Sequence, residues 1–127
     1  MLYIYLFLAG GLGVLARFMS VRWVNNLLGS NFPYGTFFVN VIGSLLFGFL
    51  SWYIVHRLSN VAQADELRIG LLTGLLGGYT TFSAFSMETL QLLQNGQMTK
   101  ALMYILLSVI VCIVACFVGV LLAKQVV

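Results

Sequence analysis

Four long apolar stretches, separated by short polar connections, dominate the hydrophobic pattern of the chain. Each is close to the roughly 20 residues that an α-helix needs to cross the hydrocarbon core of a bilayer. Their approximate bounds are 2–19, 35–55, 67–93 and 101–123. The pattern predicts an all-α membrane protein with four transmembrane helices. We expect residues 1–127 to form a single integral membrane domain with no soluble domain attached.

The third apolar stretch contains a run of hydroxyl and aromatic residues at 77–86, with the sequence GGYTTFSAFS. Hydrocarbon offers no water to the backbone, so a segment rich in Gly, Thr and Ser makes a poor lipid-facing helix. Non-helical backbone at membrane depth is tolerated only where protein buries it or where it lines a polar cavity. We therefore predict that the third helix is broken near the bilayer midplane and that the break serves a small ion.

Composition and charge refine this prediction. Hydrophobic residues make up 61% of the chain and charged residues only 7%, against roughly 25% charged residues in soluble domains. The basic residues are scattered, which is unlike a nucleic-acid-binding patch. An excess of Lys and Arg normally marks the cytoplasmic side, but here the count is even, which predicts dual topology unless the N-terminal segment or another feature breaks the tie. With four crossings, one side carries Arg57, Arg68 and Lys124, and the other carries Arg17, Arg22 and Lys100.

Polar residues recur every four positions in the second and fourth stretches, so they fall on one side of each predicted helix. They are Thr36, Asn40 and Ser44 in the second stretch, and Tyr104, Ser108 and Cys112, followed by Cys116, in the fourth. Such residues can simply hydrogen-bond between packed helices. An amide inside a span is costly unless its hydrogen-bonding sites are occupied, so Asn40 is also a candidate ion ligand.

Phe82 and Phe85 lie three residues apart within the polar run, so a helix would place them on similar faces. The edge of an aromatic ring is electropositive, and it can contact an anion without binding it too firmly to leave. The hydroxyls of Thr81 and Ser83 can donate hydrogen bonds that replace part of the lost hydration. Ordinary aromatic packing is the alternative interpretation of the phenylalanines, but their combination with hydroxyls favours an anion pathway.

Three ordered motifs in this chain resemble those of one family. The sequence GGYTTFSAFSME at 77–88 resembles the signature GGxTTFSTFSxE of the Fluc (CrcB-type) fluoride channels. The sequence GGLGVLARF at 10–18 is similar to the GGxxGxxxR pattern of that family's first helix, and FPYGTFFVN at 32–40 is similar to its FPxGTxxVN segment. The resemblance extends over essentially the whole chain. Two residues depart from the family pattern. The family usually has Thr or Ser at the position of Ala84, and it can have Ser at the position of Cys112.

The resemblance implies a passive, fluoride-selective channel that exports fluoride across the cell (inner) membrane as an antiparallel homodimer with two pores. It implies a fluoride pathway near Phe82, Phe85, Asn40, Thr81, Ser83 and Arg17, with Arg17 by the polar vestibule. It also implies a polar track of Thr36, Glu88, Tyr104 and Ser108. Finally, it implies a structural sodium ion at the dimer interface, held by the backbone carbonyls of Gly77 and Thr80.

Other functions are weighed against this interpretation. A small dual-topology exporter coupled to protons through Glu88 is the main alternative, and a membrane assembly subunit that transports nothing is another. An enzyme is not expected, since the lone His56 lies at the end of a span. Cys112 and Cys116 are interpreted as small helix-packing residues, because no His or further Cys completes a metal site with them.

Overall fold

The computed structural model describes residues 1–126, and every regular element in this range is helical. The absence of strands within it agrees with the all-α prediction. The elements are α1 (Leu2–Leu28), α2 (Tyr34–Arg57), α3 (Ala64–Arg68), a π-helical segment (Ile69–Leu76), α4 (Gly77–Tyr79), α5 (Phe82–Gln94) and α6 (Met98–Val126). Together, α3, the π-helical segment, α4 and α5 are called the interrupted segment.

Within residues 1–126, three helices are individually long and apolar enough to cross a membrane, namely α1, α2 and α6. The predicted first stretch, 2–19, is too short, because α1 continues through the residues interpreted as a polar connection and ends at Leu28. Hydropathy locates where apolar sequence stops, whereas a helix also continues through polar residues such as Arg22. The predicted third stretch is not one continuous helix.

The turn between α1 and α2 has a clear chemical basis. Gly29 has φ +85°, a conformation that is essentially restricted to glycine, and its N–H donates to the Asn25 carbonyl. Pro33 then precedes the first turn of α2. The Asn25 side-chain oxygen accepts a 3.0 Å hydrogen bond from the Gly35 N–H. One side chain therefore ties the last turns of α1 to the free N–H groups at the start of α2.

Glycines allow the helices to approach backbone to backbone. A Cβ at Gly48 of α2 would clash with the Cys116 carbonyl of α6, and a Cβ at Gly119 would clash with the Leu45 carbonyl. On the other side, α1 packs against the π-helical segment and α4, and Gly78 lies directly against the Gly10 carbonyl. Small residues are typical of such interfaces in membranes, because they bring the helices within van der Waals contact.

The interior of this chain is small, and its surface is apolar. The largest fully buried side chains are Val39 and Tyr104, and Tyr104 packs with Leu92 and Ala101 in a small cluster. Large apolar side chains are exposed along α1 and α6, including Phe7 at 81% and Phe117 at 62%. An apolar surface of this extent agrees with a chain that is surrounded by lipid or by a partner rather than by water.

The break in the interrupted segment lies slightly later than the sequence suggests. Gly77 and Gly78 remain helical, and the backbone becomes extended at Thr80 (φ −86°, ψ 157°) and Thr81 (φ −151°, ψ 115°) before α5 begins at Phe82. Glycine lowers the stability of a helix, but Gly78 is packed against α1 and stays in the helix. The two β-branched threonines form the break instead.

Candidate functional site

The break at Thr80 and Thr81 is held by one amide side chain of α2. The Thr81 N–H donates a 2.8 Å hydrogen bond to the Asn40 side-chain oxygen, and the Asn40 NH₂ group donates a 3.1 Å bond to the Thr81 carbonyl. Asn40 thereby satisfies both backbone groups of Thr81. This pairing matters because an unsatisfied backbone group costs several kcal/mol inside a bilayer.

Threonine side chains terminate the helices on either side of the break. The Thr80 hydroxyl and the Thr80 N–H both donate to the Leu76 carbonyl at 3.0 Å, at the end of α4. The Thr81 hydroxyl oxygen accepts a 3.2 Å bond from the Ala84 N–H, so it caps the start of α5. It also lies 3.2 Å from the Ser83 hydroxyl. The TT pair therefore supplies local hydrogen bonds where the helical ladder is interrupted.

The break also changes the surroundings of two backbone carbonyls. The Thr81 N–H, which would close a helical bond to the Gly77 carbonyl, is directed at Asn40 instead. The Thr80 carbonyl lies 3.5 Å from an Arg17 guanidinium nitrogen. Carbonyl oxygens are the donors that a hard cation takes, but such ions bind several oxygens. The donor type therefore fits sodium, whereas the two carbonyls of one chain supply only part of a coordination shell.

The two phenylalanines differ in their surroundings. Their ring centroids lie 5.4 Å apart, so they do form one aromatic pair. Phe85 is half-buried and packs against Tyr104 with 5.0 Å between centroids. Phe82 is 78% exposed at the start of α5, beside the break. Packing within the chain accounts for much of the position of Phe85, but it does not account for that of Phe82.

Glu88 connects three helices through neutral hydrogen-bond donors. The Thr36 hydroxyl of α2 donates to Glu88 Oε1 at 2.6 Å, and the Tyr104 hydroxyl of α6 donates to Glu88 Oε2 at 3.2 Å. Thr36 and Tyr104 are buried. One turn further along α6, Ser108 is buried, and its hydroxyl has no hydrogen-bond partner among residues 1–126. Thr36, Glu88 and Tyr104 thus form one connected group, and Ser108 continues its line along the helix.

Two open cavities lie next to these groups. A polar cavity of about 420 Å³ reaches from the connection between α1 and α2 to Thr36 and Glu88, with Lys100 among its lining residues. A second, more apolar cavity of about 510 Å³ lies beside the break. Tyr104 lies between the two, because its hydroxyl contacts Glu88 and its ring contacts Phe85. The second cavity is lined by Asn40, Gly43, Ser44, Phe47, Thr80, Thr81, Phe82, Phe85, Ser108, Val109, Cys112, Ile113 and Cys116.

The structure brings most of the predicted site residues close to one another, but it distributes them between two cavities. Six of the predicted site residues line the cavity beside the break, namely Asn40, Thr80, Thr81, Phe82, Phe85 and Ser108. Thr36 and Glu88 line the polar cavity. Arg17 lines neither cavity and lies instead against the break. Ser83 contacts Thr81 without lining the cavity.

Sequence reasoning missed the role of two polar residues. The sequence identifies Lys100 only as one of the scattered basic residues, yet it lines the polar cavity, and its ammonium group donates to the Asn31 carbonyl at 3.1 Å. Asn25 lines the same cavity. No spacing pattern singles out either residue, because each belongs to a connection whose path is set by the tertiary structure.

Comparison with known proteins places these features in a family. The family described as "CrcB-like protein, Camphor Resistance (CrcB)" matches residues 4–120. A protein of Syntrophotalea carbinolica named fluoride-specific ion channel FluC is 47% identical over 96% of this chain and 97% of its own length. A Rhizobium meliloti protein of the same name is 44% identical over 93% of this chain and 92% of its own.

A third relative is longer than this chain. A Methylococcus capsulatus protein, also named fluoride-specific ion channel FluC, is 48% identical over 93% of this chain, which covers 50% of that protein. The family match extends over nearly all of the elements that build the break and both cavities. From this match and these identities it follows that the chain belongs to the CrcB-like family.

Proposed function

We propose that this protein is a passive, fluoride-selective ion channel that exports fluoride and so relieves fluoride toxicity. The observation that carries the proposal is the extended backbone at Thr80 and Thr81. Asn40 accepts a hydrogen bond from the Thr81 N–H, and this break lies beside a cavity lined by Phe82 and Phe85. The names of the relatives identify fluoride as the ion. The protein is a transporter rather than an enzyme.

The proposed membrane arrangement has four crossings. The three long helices α1, α2 and α6 supply three of them, and the interrupted segment supplies the fourth. Irregular backbone at membrane depth is tolerated where protein satisfies its polar groups, and the Asn40 amide bonds both backbone groups of Thr81. We assign the protein to the cell (inner) membrane, since an exporter must act at the boundary of the cytoplasm.

The proposed assembly is an antiparallel homodimer with dual topology. Two observations support it: the even distribution of basic residues and the exposed Phe82 ring beside the break. A two-fold axis in the membrane plane pairs the same surface of two copies. Two breaks facing each other would double the carbonyl supply and cover the exposed rings.

Gly77 and Thr80 of both copies would hold the structural sodium ion through their carbonyl oxygens. When bound, such an ion supplies a fixed positive charge that lowers the free energy of a nearby anion. The Arg17 guanidinium, 3.5 Å from the Thr80 carbonyl, adds positive charge at the same depth. Both charges would make the break a favourable region for an anion in an otherwise apolar membrane.

In the proposed permeation path, Lys100 attracts fluoride into the polar cavity. Thr36 and Glu88 also line this cavity, and the Thr36 hydroxyl donates to the Glu88 carboxyl group. To reach the cavity beside the break, the ion must then pass Tyr104, which lies between the two cavities. There the Asn40 NH₂ group and the Ser108 hydroxyl donate hydrogen bonds, and the electropositive edges of Phe82 and Phe85 contact the ion. These contacts replace hydration without the tight binding that would stop conduction.

The proton-coupled exporter is not supported by the surroundings of Glu88. Both of its carboxyl oxygens already accept hydrogen bonds, one from Thr36 and one from Tyr104. The group is therefore part of a structural network between α2, α5 and α6. The relatives are named as ion channels, and this name gives no support to transport that is coupled to protons.

The proposal is tested with purified protein in liposomes loaded with potassium fluoride. Release is started with valinomycin, which sets a potassium diffusion potential, and is followed with a fluoride electrode. We expect fluoride release that follows voltage and concentration, with far slower chloride release from matched vesicles. Equal chloride release would contradict selectivity, and release that requires a pH gradient would contradict a passive channel.

A further inference from the structure

The two cysteines of the chain lie where the proposed function makes no use of them. Cys112 and Cys116 are both free and partly buried on α6, and both line the cavity beside the break. They follow Ser108 on the same side of the helix at intervals of four residues, so successive side chains lie one above the other. Ser108, Cys112 and Cys116 therefore form a continuous strip along one wall of this cavity.

Ser108 indicates independently that this wall can take a ligand. It is 7% exposed, and within residues 1–126 its hydroxyl oxygen is buried without a hydrogen-bond partner. Buried polar groups are normally satisfied by protein, water or a ligand. An unsatisfied hydroxyl one helical turn from the Cys112 residue gives a mixed oxygen and sulfur surface on this wall of the cavity.

We propose that Cys112 and Cys116 form a binding site for soft, two-coordinate metal ions such as Cu(I) and Hg(II), and that a metal ion bound there blocks fluoride conduction. The blocking part of this proposal rests on the proposed function; the binding part does not. Thiolates are the protein ligands that soft ions prefer. Two sulfurs suffice for a linear complex, so the lack of a third ligand does not exclude a site of this kind.

The helical spacing suits a bridging complex. Residues four apart on a helix have Cβ atoms about 5–6 Å apart, so a metal ion can lie between the two sulfurs without moving the backbone. With mercuric chloride as the reagent, each thiol loses its proton, two Hg–S bonds form and two Hg–Cl bonds break. Two protons and two chloride ions leave. The product is neutral, and it occupies the cavity that Asn40, Phe82 and Phe85 also line.

Metal binding is measured first, without any transport assay. Purified protein in detergent is treated with mercuric chloride, freed of excess reagent by gel filtration, and analysed for mercury per chain. We expect one mercury ion per wild-type chain and none in Cys112→Ser/Cys116→Ser, since the chain contains only these two cysteines. Retention of mercury by the doubly substituted protein, or none in the wild type, would overturn the assignment of the site.

Block is measured in liposomes, relative to the fluoride release of each variant without mercury. We expect mercuric chloride to stop fluoride release by the wild type, and an excess of a small thiol to restore it. Cys112→Ser or Cys116→Ser alone should raise the half-blocking concentration of mercury at least about tenfold, which corresponds to roughly 1.4 kcal/mol of binding free energy. Bound mercury without block would show that the thiols lie outside the path and would contradict the proposal.

A matched control separates this site from general damage by mercury. Ile110 and Val114 are also four residues apart on α6, but both are exposed, at 56% and 52%, and neither lines the cavity. In the Cys112→Ser/Cys116→Ser background, Ile110→Cys with Val114→Cys restores two thiols on the lipid-facing side. This variant should bind mercury without block of fluoride release; equal block would overturn the proposal.

The two experiments also separate this proposal from the proposed function. If the wild type releases no fluoride at all, the proposed function fails, and the mercury content still decides whether the metal site exists.

Discussion

At the scale of single residues, Asn40 connects α2 to the break through two hydrogen bonds. Its amide accepts from the Thr81 N–H, which has no helical partner at the break, and it also donates to the Thr81 carbonyl. The same amide lines the cavity beside the break. A single side chain therefore bonds the irregular backbone and also lines the cavity through which we propose that fluoride passes.

Phe82 gives the first prediction at this scale. It is 78% exposed within one chain, so Phe82→Ile removes little packing inside that chain, and the variant should still fold. Fluoride release should nevertheless fall at least about tenfold, or roughly 1.4 kcal/mol in barrier height, because the proposed contact between the ring edge and fluoride is lost. The measurement is electrode-recorded release together with thermal unfolding in detergent.

The control for this change is Phe7→Ile. Phe7 lies on α1, is 81% exposed, and lines neither of the two cavities next to the break, so its replacement should leave fluoride release unchanged. Wild-type release by Phe82→Ile would show that the exposed ring belongs only to a lipid-facing surface.

At the scale of elements, the contact between α2 and α6 depends on glycine. A Cβ at Gly48 would meet the Cys116 carbonyl and backbone, which cannot swing away as a flexible side chain can. We expect Gly48→Ala to lower the free energy of unfolding by about 1–3 kcal/mol, a typical cost of overpacking. Thermal unfolding in detergent measures this loss.

Gly70→Ala is the matched control for Gly48→Ala. Gly70 lies in the π-helical segment and has open space at the position of a Cβ, so alanine should be neutral or slightly stabilising there. Equal losses at the two glycines would show that the α2–α6 contact is less close than the structure has it.

The sequence predicts the helical class and the existence of the break, because both follow from local composition. It does not predict that α1 continues to Leu28, or that Gly77 and Gly78 stay helical while Thr80 and Thr81 do not. These outcomes depend on tertiary packing, such as that of Gly78 against the Gly10 carbonyl. Periodicity in one chain carries no information about such contacts.

The candidate site shows the same division. The four-residue spacing correctly groups Thr36 and Asn40 on α2, but it gives no sign that they belong to different cavities. That separation arises because Tyr104 reaches across from α6 to Glu88 and Phe85. The roles of all the predicted site residues toward fluoride or sodium remain predictions.

At the scale of the whole molecule, dual topology is open to a direct test. The exposed residues Asn60, between α2 and α3, and Gln97, just before α6, can each be changed to cysteine in the Cys112→Ser/Cys116→Ser background. In sealed vesicles, a membrane-impermeant maleimide should label about half of the molecules at either position, because the even charge count favours neither orientation.

Full labelling at one of these positions and none at the other would establish a single orientation. Permeabilised vesicles provide the control, since both cysteines should then be labelled completely. A single orientation would contradict the antiparallel dimer and leave the carbonyls of Gly77 and Thr80 without their symmetric counterparts.

The most direct test of the account is the fluoride release of Asn40→Asp. The carboxylate keeps an acceptor for the Thr81 N–H, but it removes the donor to the Thr81 carbonyl and adds negative charge to the cavity wall. If fluoride passes this point, release from liposomes should fall at least about tenfold, while gel filtration and thermal unfolding still show a folded protein. A folded Asn40→Asp variant that releases fluoride at the wild-type rate would contradict the claim that the break held by Asn40 is part of the path.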